Sequence, residues 1–248
     1  MLKLTYVFYL VAAAGLITDT CHSKGLQTDN AAKDYVVLLH GLGRTRRSMK
    51  PLEKYLFRHG FRVVNIGYPS TKYPIEKLSE IIPAEIRRQC TDKAKRIHFV
   101  THSLGGIILR HFQKKSLLPR TGRVVMLSPP NQGSEVVDTL KKYSLFSMIM
   151  GPSSLQLGTD PDSVPNTLGP VNFELGIITG NTSLNPIFSH IIPGDDDGKV
   201  SVQRAKVDGM ADFLVVPHSH SFIMANEGVA KQVAYFIQHG KFNKMSLR

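Results

Sequence analysis

Arg96-Ile97-His98-Phe99-Val100-Thr101-His102-Ser103-Leu104-Gly105-Gly106-Ile107 is the stretch that decides the fold. The β-rich run Ile97-His98-Phe99-Val100 leads into His102-Ser103-Leu104-Gly105-Gly106. Ile107, Ile108 and Phe112 then follow at helical spacing. The reading is a buried strand, a sharp turn and a helix, with a serine at the turn. Such a turn lifts the Ser103 hydroxyl clear of the sheet. The small residues Gly105 and Gly106 let helix and strand approach closely, and the helix N-terminus favours negative charge developing beside Ser103.

The same rhythm extends in both directions. Apolar runs recur at Val36-Val37-Leu38-Leu39, Val63-Val64-Asn65-Ile66, Val124-Val125-Met126-Leu127, Leu175-Gly176-Ile177-Ile178 and Phe213-Leu214-Val215-Val216. They are nearly continuous rather than alternating, the pattern of strands buried on both faces. Between them Ile75, Leu78, Ile82 and Ile86 mark a helix, which Pro83 is expected to kink. Val229, Val233, Phe236 and Ile237 mark a last helix, closed by Gly240. Strands alternating with helices imply an α/β fold with a mostly parallel central sheet flanked by helices. Lys141 to Gly169 breaks the rhythm. The apolar element Leu145 to Met150, followed by Gly151, Pro152, Gly158, Pro161 and Pro165, reads as a small insertion or lid over about 141–169.

Composition bounds the rest. The chain has 248 residues, 42% hydrophobic and 20% charged, enough for a large core in a single domain. Two cysteines, Cys21 and Cys90, exclude a disulfide scaffold and a multi-cysteine zinc fold. The net charge of +12 suggests attraction to anionic surfaces, but the basic residues are scattered in pairs, and no aromatic-interleaved nucleic-acid signature accompanies them. At the start, Lys3 precedes an apolar run from Leu4 to Ile17, shorter than the about 20 residues of a membrane span. Residues 1–23 are therefore expected to be a secretory signal peptide. Ala12-Ala13-Ala14 and Cys21-His22-Ser23 are alternative cleavage regions, and an uncleaved anchor or a lipoprotein at Cys21 are the rival readings. The expected location is secreted or periplasmic, with 24–248 as one domain.

Val36-Val37-Leu38-Leu39-His40-Gly41-Leu42-Gly43-Arg44 is a second strand running into a glycine loop. A phosphate-binding reading fails on spacing, because Arg46 stands where the dinucleotide fingerprint needs glycine, and the chain holds no Walker-type lysine. A third motif, Ser128-Pro129-Pro130-Asn131-Gln132-Gly133-Ser134, follows the next strand. The run Gly194-Asp195-Asp196-Asp197-Gly198-Lys199-Val200 and the pair His218-Ser219-His220 come later. A turn, a calcium loop or a His-x-His metal site would use the same residues, but neither an EF-hand nor an H-E-x-x-H spacing is present.

Together these motifs resemble the α/β-hydrolase family, in its bacterial lipase and esterase branch, over roughly Tyr35 to His239. The family's G-x-S-x-G elbow matches Thr101-His102-Ser103-Leu104-Gly105, with Thr101 in place of the first glycine. The resemblance implies the α/β-hydrolase fold, with its small insertion after the sixth strand. It makes Ser103 the nucleophile and the N–H groups of Leu42 and Leu104 the oxyanion hole, with His40 orienting the loop. The Ser128 to Ser134 run becomes architecture around the acyl site. The acid comes from the D-G-x-V loop, which selects Asp197 ahead of Asp196 and Asp195. The base is His220 rather than His218, because an apolar helix start follows it closely.

The implied function is hydrolysis of carboxylic, lipid or acyl esters through a Ser-Asp-His triad and an acyl-enzyme, with no cofactor or metal. The expected partners are a small-molecule or lipid ester and an anionic membrane surface, not nucleic acid. Arg44, Arg46, Arg47 and Lys50 follow the glycine loop and are expected at the site mouth. A thioesterase or acyltransferase on the same fold, and a non-catalytic lipid- or acyl-binding module, are the competing readings.

Overall fold

The structure, a computed structural model, describes residues 33–115 and 120–247. The expected signal peptide over 1–23 lies outside them. All six apolar runs form strands: β1 (Tyr35–Leu39), β2 (Arg62–Ile66), β3 (Ile97–His102), β4 (Thr121–Leu127), β5 (Leu175–Gly180) and β6 (Asp212–Val216). They make one parallel sheet in the order β2-β1-β3-β4-β5-β6. The helices are α1 (Lys50–Arg58), α2 (Ile75–Ser79), α3 (Ile81–Gln89), α4 (Leu104–Lys115), α5 (Glu135–Leu140), α6 (Ser144–Met150), α7 (Pro152–Leu155), α8 (Val164–Thr167), α9 (Pro186–Ile191) and α10 (Glu227–His239).

Alternation along the strands builds a core on each face of the sheet. Val37, Leu39, Phe99 and Met126 point to one side, where they join Ile75, Ile82, Ile86 and Ile107 from α2, α3 and α4. Val36, Leu38, Val100 and Val125 point to the other, where they meet Leu52, Leu56, Val233 and Phe236 from α1 and α10. Of the four inner strands, β1, β3 and β5 are buried along their whole length and β4 is buried from Val124 onward. β2 and β6 are only partly buried, because they are the sheet edges and each lacks a neighbour on one side.

Helix ends follow local chemistry. The Asn226 side chain accepts from the Val229 N–H at 3.0 Å to cap α10, and Gly240 ends that helix in the left-handed region at φ 74°. The expected kink at Pro83 is instead a break at Glu80. Pro83 sits in the first turn of α3, where its missing N–H interrupts no helical bond. The first turn of α9 is capped by Asn185, whose side chain accepts from the N–H groups of Ile187 and Phe188.

The segment 141–169 leaves the sheet after its fourth strand rather than after the sixth, because no strand precedes β1 among the described residues. It folds into α6, α7 and α8. Gly151, at φ 74°, pins it down: a Cβ there would fall 1.6 Å from the Thr71 carbonyl oxygen.

Strand order reverses between β1 and β3, and the carboxyl ends of strands at such a switch point are where open α/β sheets form their sites. Here β1 feeds the His40-Gly41 loop and β3 feeds Ser103. Contact between the two loops depends on missing side chains. A Cβ on Gly105 would lie 2.7 Å from the Leu39 carbonyl oxygen and 2.9 Å from that of His40. Gly106 meets only side-chain atoms, the nearest at 3.2 Å. Gly105→Ala should therefore destabilise the fold by roughly 1–3 kcal/mol, the usual range for overpacking, and Gly106→Ala by less. Urea midpoints of the two variants check the order.

Candidate active site

The turn after β3 holds Ser103 at φ 52°, a strained conformation for a non-glycine residue. It is fixed at both ends. The Ser103 N–H donates to the Leu127 carbonyl at 2.9 Å, and its carbonyl accepts from the Gly106 N–H at 2.9 Å. The hydroxyl is thereby presented at the carboxyl end of the sheet, 3.0 Å from His220 Nε2. His220 Nδ1 lies 2.9 Å from Asp197 Oδ2. The arrangement that satisfies both contacts has Nδ1–H donating to the carboxylate and Nε2 accepting from the serine.

The acid loop holds Asp197 rigidly. Its Oδ1 accepts from the N–H groups of Lys199 at 3.0 Å and Val200 at 2.9 Å, and its carbonyl accepts from the His220 N–H at 2.9 Å. Asp196 uses its carboxylate within the turn instead, on the Gly198 N–H and the Ser189 hydroxyl, and Asp195 is exposed. His218 contributes backbone contacts to Val216 and Thr182, not a ring to the site. Gly180, at the end of β5, lets the two loops close. A Cβ there would fall 1.9 Å from the His218 carbonyl oxygen and 3.1 Å from the Asp197 Cβ. The structure thus brings Ser103, His220 and Asp197 into one hydrogen-bonded chain.

Opposite this chain stands the glycine loop after β1. His40 is fully buried and stacks on Tyr68 with ring centroids 4.0 Å apart. Its Nε2 accepts from the Tyr68 N–H at 3.3 Å, so Nδ1 carries the proton, facing the Gly41 carbonyl at 3.0 Å. The Tyr68 hydroxyl donates to the His40 carbonyl. Further along, the Gly43 N–H donates to Ser70 Oγ at 3.1 Å. The N–H groups of Leu42 and Leu104 donate to no acceptor among the described residues. Leu104 is the first residue of α4, where helical N–H groups have no partner of their own.

His102, a variable position of the elbow motif, holds the base in place. Its buried ring donates from Nε2 to the His220 carbonyl at 2.9 Å. Burial and the neighbouring His220 push its pKa well down, so it is a neutral donor. Gly41 passes so near that a Cβ would lie 2.8 Å from His102 Nδ1. The signal was present in the quoted motif, but its partner lies more than a hundred residues away. Arg46, Arg47 and Lys50 are exposed to solvent, whereas Arg44 is half-buried and acts on His102. Among the described residues, no three His, Cys, Asp or Glu side chains converge as a metal site. No described helix is long and apolar enough to cross a membrane.

The model of the alpha/beta hydrolase family matches residues 36–173, more than half of the chain. The chain belongs to the α/β-hydrolase family. A search of curated proteins finds no match. Among solved structures, this α/β hydrolase is similar to the phospholipase PlaB from Legionella pneumophila, at 16% identity and a TM-score of 0.73. The match covers 85% of this chain and 60% of that one, so the chain spans less than two thirds of that relative's length. It is also similar to the Bacillus licheniformis lipase BlEst2 in its mature form (15% identity, TM-score 0.66, covering 88% of this chain and 96% of that one). A third is the metagenomic carboxyl esterase MGS0156 (19%, 0.65, covering 86% and 71%).

Burial alone would raise the Asp197 carboxyl, but the charge and hydrogen bond of His220 and the Val200 N–H outweigh it and hold the pKa below the usual carboxylate range. A depressed pKa contributes stability that is present above the unfolded value and lost as pH falls through the folded one. The stability gap between wild type and Asp197→Asn should therefore be widest near pH 7 and close in acid, below about pH 4. Urea midpoints measured across that range check the sign.

Proposed function

We propose that this α/β hydrolase is a serine hydrolase of carboxylic acyl esters. The observation that carries the reading is the continuous chain Ser103–His220–Asp197, set at a strained elbow, with the Leu42 and Leu104 N–H groups donating to no acceptor among the described residues. Ser103 Oγ attacks the ester carbonyl carbon while His220 Nε2 takes its proton. Asp197 holds the Nδ1–H tautomer and stabilises the imidazolium. The Leu42 and Leu104 amides receive the oxyanion, each worth roughly 10²–10³ in rate. Collapse expels the alcohol, which takes the proton from His220 and leaves an acyl-serine. His220 then deprotonates a water that attacks this ester, releasing the carboxylic acid and restoring Ser103.

Lipid or other acyl esters are the substrate class. The exposed side chains of Leu145, Met148 and Ile149 on α6 support this, because the next residue, Met150, reaches the glycine loop. The Met150 Cε lies 3.1 Å from where a Gly43 Cβ would stand. The similar solved structures, a phospholipase, a lipase and a carboxyl esterase, agree with it. An N-terminal secretory signal over residues 1–23 and contact with anionic membrane belong to the same proposal.

The test is hydrolysis of p-nitrophenyl esters from acetate to palmitate. Ser103→Ala should lower kcat/KM by roughly 10⁴–10⁶-fold, and Asp197→Asn by about 10⁴-fold with the fold intact. Wild-type rates in Ser103→Ala would overturn the reading. Activity confined to thioesters, or to acyl transfer onto an alcohol, would move it to the other acyl-transfer enzymes of this fold.

A further inference from the structure

Leu42 occupies one of the two central positions of a tight turn. The Arg44 N–H donates to the Gly41 carbonyl at 3.2 Å, and Gly43 has φ 63° while Leu42 stays out of the left-handed region. That is the type II pattern. Type I and type II turns differ by rotation of the central peptide, which here joins Leu42 to Gly43. Neither central N–H bonds within such a turn. The Gly43 N–H is taken by Ser70 Oγ at 3.1 Å, and the Leu42 N–H donates to no acceptor among the described residues. The turn passes close to the nucleophile, since a Cβ on Gly41 would lie 3.2 Å from that of Ser103.

One short segment holds the turn at both ends. Tyr68-Pro69-Ser70 follows β2. Tyr68 grips His40, through its N–H to Nε2 at 3.3 Å and through its hydroxyl to the carbonyl, while Ser70 grips Gly43. Leu42 therefore sits between two fixed points. Pro69 locks its own φ between them, and the buried Ser70 donates its N–H to the Tyr68 carbonyl at 3.0 Å.

The insertion grips the same segment from behind. Ser153 on α7 is fully buried and donates from Oγ to the Ser70 carbonyl at 2.6 Å. Gly151 packs against the Thr71 carbonyl too closely for any Cβ. Beyond them Gln156 accepts from the Ile75 N–H at 2.7 Å and donates to the Glu76 carboxylate at 2.9 Å. The contacts of the insertion thus run through Ser70 to the central peptide of the turn.

We infer that Ser70 is a positioning residue for the oxyanion half of the site, and that Ser153 of the insertion holds it in place. By fixing the Leu42–Gly43 peptide, the Ser70 hydroxyl keeps the neighbouring Leu42 N–H where it meets the oxyanion. The inference rests on the serine-esterase reading, which makes that N–H an oxyanion donor. Neither serine touches the reacting atoms. A donor lowers the barrier only when it is already aimed at the transition-state oxygen, so a loosened turn reduces kcat and leaves ester binding unchanged. Gly43 is exposed, so water can take its N–H when the hydroxyl is removed. The effect of Ser70→Ala is then one of position, not of an unpaired buried donor.

The experiment measures kcat and KM for p-nitrophenyl butyrate, and Ki for an octyl trifluoromethyl ketone, whose hemiketal with Ser103 carries an oxyanion. Active sites are counted by fluorophosphonate titration. Ser70→Ala should lower kcat per active site by about 10–100-fold, less than loss of a donor itself, with KM within about twofold, and should raise Ki by the factor lost from kcat/KM. Ser153→Ala should show the same paired change, about 3–10-fold. A purely structural role would lower the number of active sites and leave kcat per site and Ki alone, which would overturn the inference. A loss confined to KM would also overturn it. Wild-type values in Ser153→Ala beside a depressed Ser70→Ala would overturn the part given to the insertion. If Ser70→Ala does not fold, Ser153→Ala decides: the paired change supports the inference and wild-type values overturn it. If wild type hydrolyses no ester, the serine-esterase reading fails and this inference with it. Hydrolysis that needs Ser103 but is unchanged in Ser70→Ala removes this inference alone.

Discussion

The arrangement depends on how closely two loops approach where strand order reverses. α4 must begin immediately after Ser103, and its first turn must press against the carbonyls of Leu39 and His40 at the end of β1. Only glycine at position 105 allows it. From that contact follow the strained turn of Ser103 and the closeness of Gly41 to His102 and to the Ser103 side chain. A displacement of an ångström would separate groups whose joint action needs hydrogen-bonding distance.

The other side of the site is built by a different device. Asp197 and His220 come from loops after β5 and β6, and they are joined twice, once through their side chains and once through the His220 N–H and the Asp197 carbonyl. His102 adds a third tie, to the His220 carbonyl. These ties keep Asp197 and His220 in one geometry, since rotating either side chain would leave a donor or acceptor unpaired in low dielectric. Asp197 stays ionised although buried, because His220 and two backbone N–H groups offset the cost of burial.

Much of this was legible in the residues. Six apolar runs became six strands, and the string around Ser103 became strand, turn and helix. The motif also located the glycine loop that faces it. The edge strands were misjudged, because Val63 to Ile66 and Phe213 to Val216 look as apolar as inner strands while their exposure depends on neighbours far along the chain. The choice among Asp195, Asp196 and Asp197 rested on family resemblance, since single steps within a turn reverse a side chain's direction and spacing alone does not resolve them. His102 and Gly180 were not legible as parts of the site, because each meets a partner that only the folded sheet brings near.

The central claim is that Ser103 is an activated nucleophile within this network. The most direct measurement is covalent labelling by a fluorophosphonate, with the modified residue located by mass spectrometry in wild type and in His220→Ala. One label per chain on Ser103, slowed by orders of magnitude in His220→Ala, is the expected result. Absence of labelling in the folded wild-type protein, or a label on another serine, would contradict the account.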